Sequence, residues 1–414
     1  MQANIEIAQS LFKERKYKET IDTCQKILAI DSDSINAIKL IAKSSLATSK
    51  IDDARLYLNK ALGINPDDYE LIKDLGNTYQ IVGDFITAQK YYKKALAINS
   101  SFAPALTNFG SIQIKTGKKE EGLSFLIKAT ESDPQLVPAW LNLAYGYLAL
   151  GNTKDAENSC RKAIDINPNL FNAHFLLGTI LIGQKEFQEA EQFLRKTIEL
   201  KPDLFQAHFN LGSVLKDLGQ LQEAEIYTRQ AIELKPDFAM AYLNLGLILK
   251  SLRRLKEAEV STRKAIELKP DFAQAFSDLG TILTGLCKLE EAEKSIRKAI
   301  ELEPAYAMAY SNLGTVLKDL GKLEEAENNY SQAINLQPGF IVALMNRWQL
   351  FFDKKEYKNA LKDADSCNTT MSRACAIETL YALGRIEEIY KRIDTTSEID
   401  SENIRLAAFS SFLS

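Results

Sequence analysis

The chain repeats itself every 34 residues from its first residue to about residue 340. Proline marks this period, standing one or two periods apart at Pro66, Pro134, Pro168, Pro202, Pro236, Pro270, Pro304 and Pro338. Ser32 and Ser100 fill the two places from which a proline is missing. A period of this length predicts a solenoid, in which one small structural unit is stacked many times.

Small residues recur in the same phase as the prolines. When units are counted from residues 1, 35, 69 and onward, the eighth place holds Gly76, Gly110, Gly178, Gly212, Gly246, Gly280 and Gly314, with alanine at Ala42 and Ala144. Seven glycines inside helices would destabilise the fold by roughly 7 kcal/mol relative to alanine unless another helix packed into the space. Alanine at the twentieth place, as in Ala224 and Ala258, predicts that two helices cross there at close range.

Apolar residues and helix ends follow the same period. Tyr242, Leu245 and Leu249 show the apolar spacing of one helix, and a second apolar stripe follows within the same unit. Glycine stands where the first helix should end, at Gly83, Gly117, Gly151, Gly219 and Gly321, which predicts a left-handed C-cap at that place. Each unit is therefore predicted to be a helix-turn-helix hairpin.

Three near-copies of one sequence show the unit clearly. They are NLGSVLKDLGQLQEAEIYTRQAIELKPD, NLGLILKSLRRLKEAEVSTRKAIELKPD and NLGTVLKDLGKLEEAENNYSQAINLQPG. This pattern resembles the tetratricopeptide repeat. The resemblance implies an all-α fold, a right-handed superhelical solenoid of hairpins. We expect ten units over residues 1–340, the first of them degenerate, followed by degenerate repeats and capping helices over residues 341–414.

Composition argues against several classes of protein. The formal net charge is −4 and 26% of residues are charged, without the basic excess of nucleic-acid-binding proteins. The N-terminal sequence lacks the apolar core of a secretory signal, and no run of about 18 apolar residues predicts a membrane span. We therefore expect a cytoplasmic protein. Cys24 and Cys160 share one place of the second helix and are interpreted as buried apolar residues.

The sequence offers no catalytic constellation. His174 and His208 lie one period apart, at the fourth place, where other units carry tryptophan or tyrosine, so they are interpreted as packing residues. No further histidine, cysteine or carboxylate stands at the short spacing of a zinc site. Every glycine pair is explained by its place in the repeat, so a phosphate-binding loop is not predicted. We expect a non-enzyme without cofactor or metal.

The resemblance implies that the first helices line a concave groove, with the second, fifth, ninth and twelfth places facing inward. The fifth place is apolar in four successive units, at Leu141, Phe175, Phe209 and Leu243, and Tyr145 widens the stripe. An exposed apolar stripe predicts a binding surface. The alternative is that these side chains pack against the neighbouring unit.

Asparagine recurs beside that stripe, at the sixth place. The series is Asn108, Asn142, Asn210, Asn244 and Asn312, continued by Asn346 and interrupted by Asp74, Leu176 and Asp278. An amide can both donate and accept, so such a ladder could pair with the backbone of an extended peptide. It resembles the asparagine ladder in the repeat arm of O-linked N-acetylglucosamine transferase. The alternative is that asparagine is simply a common residue at this place of the repeat and has no binding role.

A second binding mode known in this kind of repeat is not expected. Lys73, Asn77 and Asn108 resemble the start of the clamp that grips the C-terminal carboxylate of heat-shock chaperones. Tyr145 and Ala149 stand where that clamp would carry two basic residues. The clamp would therefore lack half its charge.

Two hypotheses of function follow. The first is a non-catalytic scaffold that binds an extended protein or peptide segment along its concave face. The second is the substrate-recognition arm of a larger enzyme, of the glycosyltransferase, sulfotransferase or iron-dependent oxygenase type. The second hypothesis rests on the apolar C-terminal sequence with Phe409, Phe412 and Leu413. The identity of the partner and the oligomeric state are not predicted by the sequence.

Overall fold

A computed structural model of the chain describes residues 2–367 and 369–394. Within these residues the secondary structure is entirely helical, and the helices follow one another as helix-turn-helix hairpins. The predicted fold class, an all-α solenoid of hairpins, is confirmed. The chain divides into two compact units, Met1–Pro202 and Asp203–Ser414.

The N-terminal unit contains six hairpins. Their helices are α1 (Gln2–Lys13), α2 (Tyr17–Ile30), α3 (Ile35–Ala47), α4 (Ile51–Ile64), α5 (Tyr69–Ile81), α6 (Phe85–Ile98), α7 (Ala103–Lys115), α8 (Lys119–Ser132), α9 (Val137–Ala149), α10 (Thr153–Ile166), α11 (Phe171–Gln184) and α12 (Phe187–Leu200). Odd-numbered helices are the first helices of their hairpins, and even-numbered helices are the second.

The described part of the C-terminal unit also forms six hairpins. Their helices are α13 (Phe205–Asp217), α14 (Leu221–Leu234), α15 (Ala239–Ser251), α16 (Leu255–Leu268), α17 (Ala273–Gly285), α18 (Leu289–Leu302), α19 (Ala307–Asp319), α20 (Leu323–Leu336), α21 (Ile341–Asp353), α22 (Tyr357–Asp365), α23 (Thr370–Ala382) and α24 (Ile386–Asp394). The same pattern of long first and second helices is kept through α20.

The predicted glycine caps are confirmed. The fifteenth place has positive φ in every unit from the first to the eleventh, with φ between 75° and 90° at Gly83, Gly117, Gly151, Gly219 and Gly321. The next N–H bonds back to the last turn of the first helix, as from Gln220 to the carbonyl of Leu215 at 2.8 Å. This is the hydrogen bond of a Schellman motif. Non-glycine residues take the same conformation at Arg15, Ser49, Lys185, Arg253, Cys287 and Lys355.

These non-glycine caps predict a gain in stability. A side chain in the left-handed region costs roughly 1–2 kcal/mol, of which the greater flexibility of unfolded glycine offsets about half. We expect Arg253→Gly and Cys287→Gly each to raise the free energy of unfolding of the C-terminal unit by ~0.5–1 kcal/mol. Urea denaturation measures this gain, and Gly219→Ala, at the same place, should reduce stability. A loss of stability in both glycine variants would contradict the strain argument.

The close crossing of the two helices in each hairpin is also confirmed. A Cβ built on Gly212 would lie 2.4 Å from Thr228 Oγ1, and one on Gly246 would lie 2.3 Å from Thr262 Oγ1. These contacts come from the twenty-fourth place. The expected alanine at the twentieth place contributes its carbonyl instead. The Ala224 carbonyl oxygen would lie 3.2 Å from the same Cβ built on Gly212. The sequence therefore predicted the gap correctly but not the side chain that fills it.

The twenty-fourth place also explains two cysteines. Cys24 and Cys160 both lie there and are fully buried. Burial raises the pKa of the Cys24 thiol to about 11 and that of the Cys160 thiol to about 12. Both thiols are therefore protonated at neutral pH and act as apolar packing groups, as the sequence indicated.

The repeat changes after residue 340. Helices α22 and α24 are each described over nine residues, and Trp348 replaces the small residue of the eighth place. The indole of Trp348 is buried and donates from Nε1 to Thr379 Oγ1 at 3.0 Å, so it joins α21 to α23. The boundary at residue 340 stays a prediction. Phe409, Phe412 and Leu413 lie outside the described residues.

Candidate peptide-binding faces

Each compact unit carries its own candidate site, formed by inward-predicted places of its first helices. We define the N-terminal face by Asn108, Ile114, Leu141, Asn142, Tyr145, Leu148, Phe175 and Ile182 on α7, α9 and α11. We define the C-terminal face by Phe209, Asn210, Lys216, Leu243, Asn244, Lys250, Asp278, Thr281, Asn312 and Lys318 on α13, α15, α17 and α19.

The N-terminal face is apolar and accessible. Tyr145 is 49% exposed, and Leu141 and Phe175 are partly buried. The twelfth place adds Ile114, Leu148 and Ile182, all of them partly buried. Six apolar or aromatic side chains at the fifth, ninth and twelfth places thus remain open to solvent in part. Such a surface can bury the apolar side chains of a ligand.

The predicted apolar stripe is not exposed throughout the C-terminal face. Leu243 is only 2% exposed and packs with Phe272 and Ala275, so the expectation that it faces solvent is wrong. The Phe209 ring is partly buried and lies 5.0 Å from the ring of Phe238, edge to face. Phe238 and Phe272 are the last residues of the same units as Phe209 and Leu243, and each is the N-cap of the next first helix. Leu243 is thus covered by the end of its own unit and by Ala275 of the next unit.

The asparagines of the N-terminal face link neighbouring hairpins. Asn108 donates from Nδ2 to Asn77 Oδ1 at 2.7 Å. Asn142 accepts a hydrogen bond from Ser111 Oγ at 2.8 Å and donates to the carbonyl of Pro138 at 2.7 Å. Asn77 and Ser111 both occupy the ninth place of the preceding hairpin. Reading the sixth place together with the ninth place one unit earlier would have revealed this pairing.

The asparagines of the C-terminal face are also largely engaged. Asn244 is 6% exposed and donates from Nδ2 to Thr228 Oγ1 at 3.2 Å. Asn312 donates to Ser277 Oγ at 3.0 Å. Asn210 is partly buried and makes no side-chain hydrogen bond within the part of the chain that the structure describes. The ladder is thus mainly a set of structural hydrogen bonds, and Asn244 is too buried to reach a ligand.

The two aspartates that interrupt the ladder have different surroundings. Asp74 forms an ion pair with Lys73, and Asn77 donates to it at 3.4 Å. Asp278 lies in the C-terminal face with its Oδ2 enclosed and without a hydrogen bond. Burial raises the pKa of Asp278 to about 6, although the charge of Lys250 and a hydrogen bond from Gln274 act in the opposite direction.

The twelfth place distinguishes the two faces. It holds Lys216, Lys250 and Lys318 in the C-terminal face, where the N-terminal face has aliphatic residues. Lys250 Nζ donates to Thr281 Oγ1 at 2.6 Å, and Lys216 Nζ lies 3.4 Å from Asn244 Oδ1. Comparing this single place along the repeats would have found the lysines.

The histidines are structural, as the sequence indicated. His174 is 6% exposed, and its Nε2 lies 2.8 Å from the carbonyl of Pro168. Trp140, at the same place one unit earlier, donates from its indole to the carbonyl of Pro134 at 2.9 Å. His208 is equally buried and contacts Gln230. Imidazole therefore replaces indole in one repeated packing contact.

Clustered metal ligands and membrane-spanning helices are both missing from the described residues. Residues 2–367 and 369–394 contain no group of three or more histidine, cysteine, aspartate or glutamate side chains placed to hold a metal ion. None of the described helices has the length and apolar character needed to cross a bilayer.

Comparison with protein families agrees with the geometry of the hairpins. Models described as tetratricopeptide repeat match residues 74–102, 103–136, 147–211, 205–238, 239–272, 273–306 and 307–340, which together exceed half of the chain. The chain is a tetratricopeptide repeat protein. Its helices α13 to α20, in the C-terminal unit, are matched without a gap. The comparison with curated proteins found no match to this chain.

Several solved structures are similar to this tetratricopeptide repeat protein. MamA is 26% identical, with 40% of this chain and 96% of MamA covered at a TM-score of 0.38. YrrB, described as a protein of this family with an unusual peptide-binding site, is 24% identical. The match covers 46% of this chain and 97% of YrrB at a TM-score of 0.37. The Cut9–Hcn1 hetero-tetramer of the APC/C is 13% identical, and the match covers 97% of this chain and 95% of the matched chain at a TM-score of 0.49.

Proposed function

We propose that this tetratricopeptide repeat protein is a non-catalytic scaffold that binds an extended segment of a partner protein across its first helices. The observation that carries the proposal is the exposure of the N-terminal face, where Tyr145 is half exposed and Leu141 and Phe175 are partly buried. Aromatic side chains with one face open to solvent are the groups that contribute most to protein interfaces.

Polar groups beside this apolar surface support an extended ligand. The Asn108 amide is engaged by Asn77 and by the Tyr92 hydroxyl. Asn142 keeps one N–H donor beyond its bond to Pro138. The Asn142 amide therefore retains hydrogen-bonding capacity for a peptide backbone. A peptide bound in this way would bury apolar side chains against Tyr145 while its backbone pairs with Asn142.

Two cysteines and both histidines have structural roles. The buried Cys24 and Cys160 thiols are held in the protonated state, and His174 and His208 pack in place of aromatic residues. These assignments support a binding role for the chain. The alternative of an enzyme arm depends on Phe409, Phe412 and Leu413, which lie outside the described residues, so no observation favours it here.

Substitution of Tyr145 tests the proposal. We expect Tyr145→Asp to reduce the capture of partner protein from native lysate at least tenfold, because a carboxylate would be desolvated where an apolar group is bound. Since Tyr145 is half exposed, helicity and the melting temperature should be retained. The matched control is Val260→Asp on α16, whose side chain is 70% exposed on a second helix. Undiminished capture by Tyr145→Asp, or an equal loss in Val260→Asp, would reject the N-terminal face.

A further inference from the structure

Two lysines of the C-terminal face reach polar side chains of the neighbouring hairpin. Lys216, on α13, reaches Asn244 on α15, with Nζ 3.4 Å from Oδ1. Lys250, on α15, reaches Thr281 on α17, with Nζ 2.6 Å from Oγ1. The two ammonium groups are thus directed the same way, each toward the next first helix.

The two ammonium groups differ in their charged neighbours. Lys250 is partly buried, donates to a hydroxyl, and forms no ion pair within the described residues. Lys216 forms an ion pair with its exposed chain neighbour Asp217 at 3.5 Å, and it also interacts with the charge of Asp278. Burial lowers the pKa of Lys250, which indicates that its charge is incompletely compensated. An ammonium has three N–H donors, so each lysine retains donors for another acceptor.

Asp278 is the acidic group closest in position to Lys250, and it does not form a direct pair with it. The charge of Asp278 acts on Lys250 at a distance, while its Oδ2 is enclosed and without a hydrogen bond. The carboxylate therefore favours a charged lysine without occupying its donors. An acidic group that enters from solvent would meet the Lys250 ammonium, whose direct partner, the Thr281 hydroxyl, is uncharged.

We propose that Lys216 and Lys250 bind a carboxylate side chain, aspartate or glutamate, of the extended partner segment. The inference rests on the proposed function and names the chemistry of the segment that lies on the C-terminal face. The Lys250 ammonium carries it, because it is partly buried and forms no direct ion pair among the described residues. The same place in the N-terminal face is Ile114, Leu148 and Ile182, which favour apolar groups. A charge-assisted hydrogen bond from a partly buried ammonium is stronger than one between neutral groups.

Blocked synthetic peptides provide the test. The full chain is titrated with a peptide of alternating glutamate and serine, and with its glutamine counterpart, by isothermal calorimetry at low salt. We expect the glutamate peptide to bind at least tenfold more tightly than the glutamine peptide. Lys250→Gln should weaken glutamate binding about tenfold and Lys216→Gln about threefold, because each removes a charge-assisted hydrogen bond. Added salt should weaken binding of the glutamate peptide.

Lys294→Gln is the matched control, because it makes the same change in net charge at an exposed lysine of α18, a second helix outside the C-terminal face. Equal binding of the two peptides, an unchanged dissociation constant in Lys250→Gln, or an equal loss in Lys294→Gln would overturn the inference. Thermal unfolding checks that the lysine variants are folded. Tyr145→Asp changes the other unit and should leave glutamate binding intact, so the inference and the proposed function can fail separately.

Discussion

Replacing Gly122 with alanine is expected to destabilise the N-terminal unit by about 1–3 kcal/mol, although alanine stands at this place in most other hairpins. Gly122 of α8 faces Gly110 of α7, and a Cβ on Gly122 would lie 2.6 Å from the Gly110 carbonyl oxygen and 2.9 Å from the Ile114 backbone nitrogen. Backbone atoms cannot move aside as a flexible side chain can. The strain should exceed the roughly 1 kcal/mol that alanine contributes through its helix propensity.

Two other helical glycines provide matched controls for Gly122. Neither Gly63 nor Gly183 would place a Cβ within 4 Å of a neighbouring atom. Alanine at either position should therefore raise the free energy of unfolding by ~0.5 kcal/mol. Urea denaturation of the three single variants gives the comparison. If Gly122→Ala were as stable as the wild type or more stable, the two helices of this hairpin would not cross at backbone contact.

The fold was largely predictable because every hairpin repeats the same constraints. The 34-residue period predicts the positions of the left-handed caps, the small residue of the eighth place and the loop proline. A prediction made from one unit can therefore be checked in the sequence of every other unit. Gly122 shows the limit of this approach. Consensus reasoning treats it as a departure from alanine, whereas its contact with Gly110 depends on how closely one particular pair of helices crosses.

The candidate site was less predictable because its properties depend on contacts between hairpins. Leu243 and Phe175 occupy the same place, yet Leu243 is covered by Phe272 while Phe175 remains partly exposed. The asparagines were correctly recognised as polar positions of the face, but their bonds to the ninth place of the preceding hairpin cannot be read from one unit alone. Accessibility at each place is therefore a property of two or three hairpins together.

Asp278 provides the other large expected effect, which depends on pH. Its pKa is raised from about 3.8 to about 6 by burial. A carboxyl group with a raised folded-state pKa favours folding in its protonated form, so stability is lost as the pH rises from about 4 to about 6. The shift of about two units corresponds to roughly 3 kcal/mol at neutral pH.

We therefore expect Asp278→Asn to stabilise the C-terminal unit by about 1–2 kcal/mol at pH 7.5. The gain should be smaller than the roughly 3 kcal/mol that corresponds to the pKa shift. The reason is that Lys250 loses the distant negative charge that favours its own charged form. Asparagine is also the residue of this place in most neighbouring hairpins. At pH 4 the wild-type carboxyl is largely protonated, so the difference between variant and wild type should nearly disappear.

Urea denaturation of the Asp278→Asn variant and the wild type at both pH values measures this difference directly, since groups common to both proteins cancel. Asp74→Asn is the control at the same place of the N-terminal unit. Asp74 is paired with Lys73, so its replacement removes an ion pair and should not stabilise the protein at pH 7.5. A gain for Asp278→Asn that is equal at pH 4 and pH 7.5 would arise from the amide itself, and would show that the buried charge of Asp278 does not limit stability.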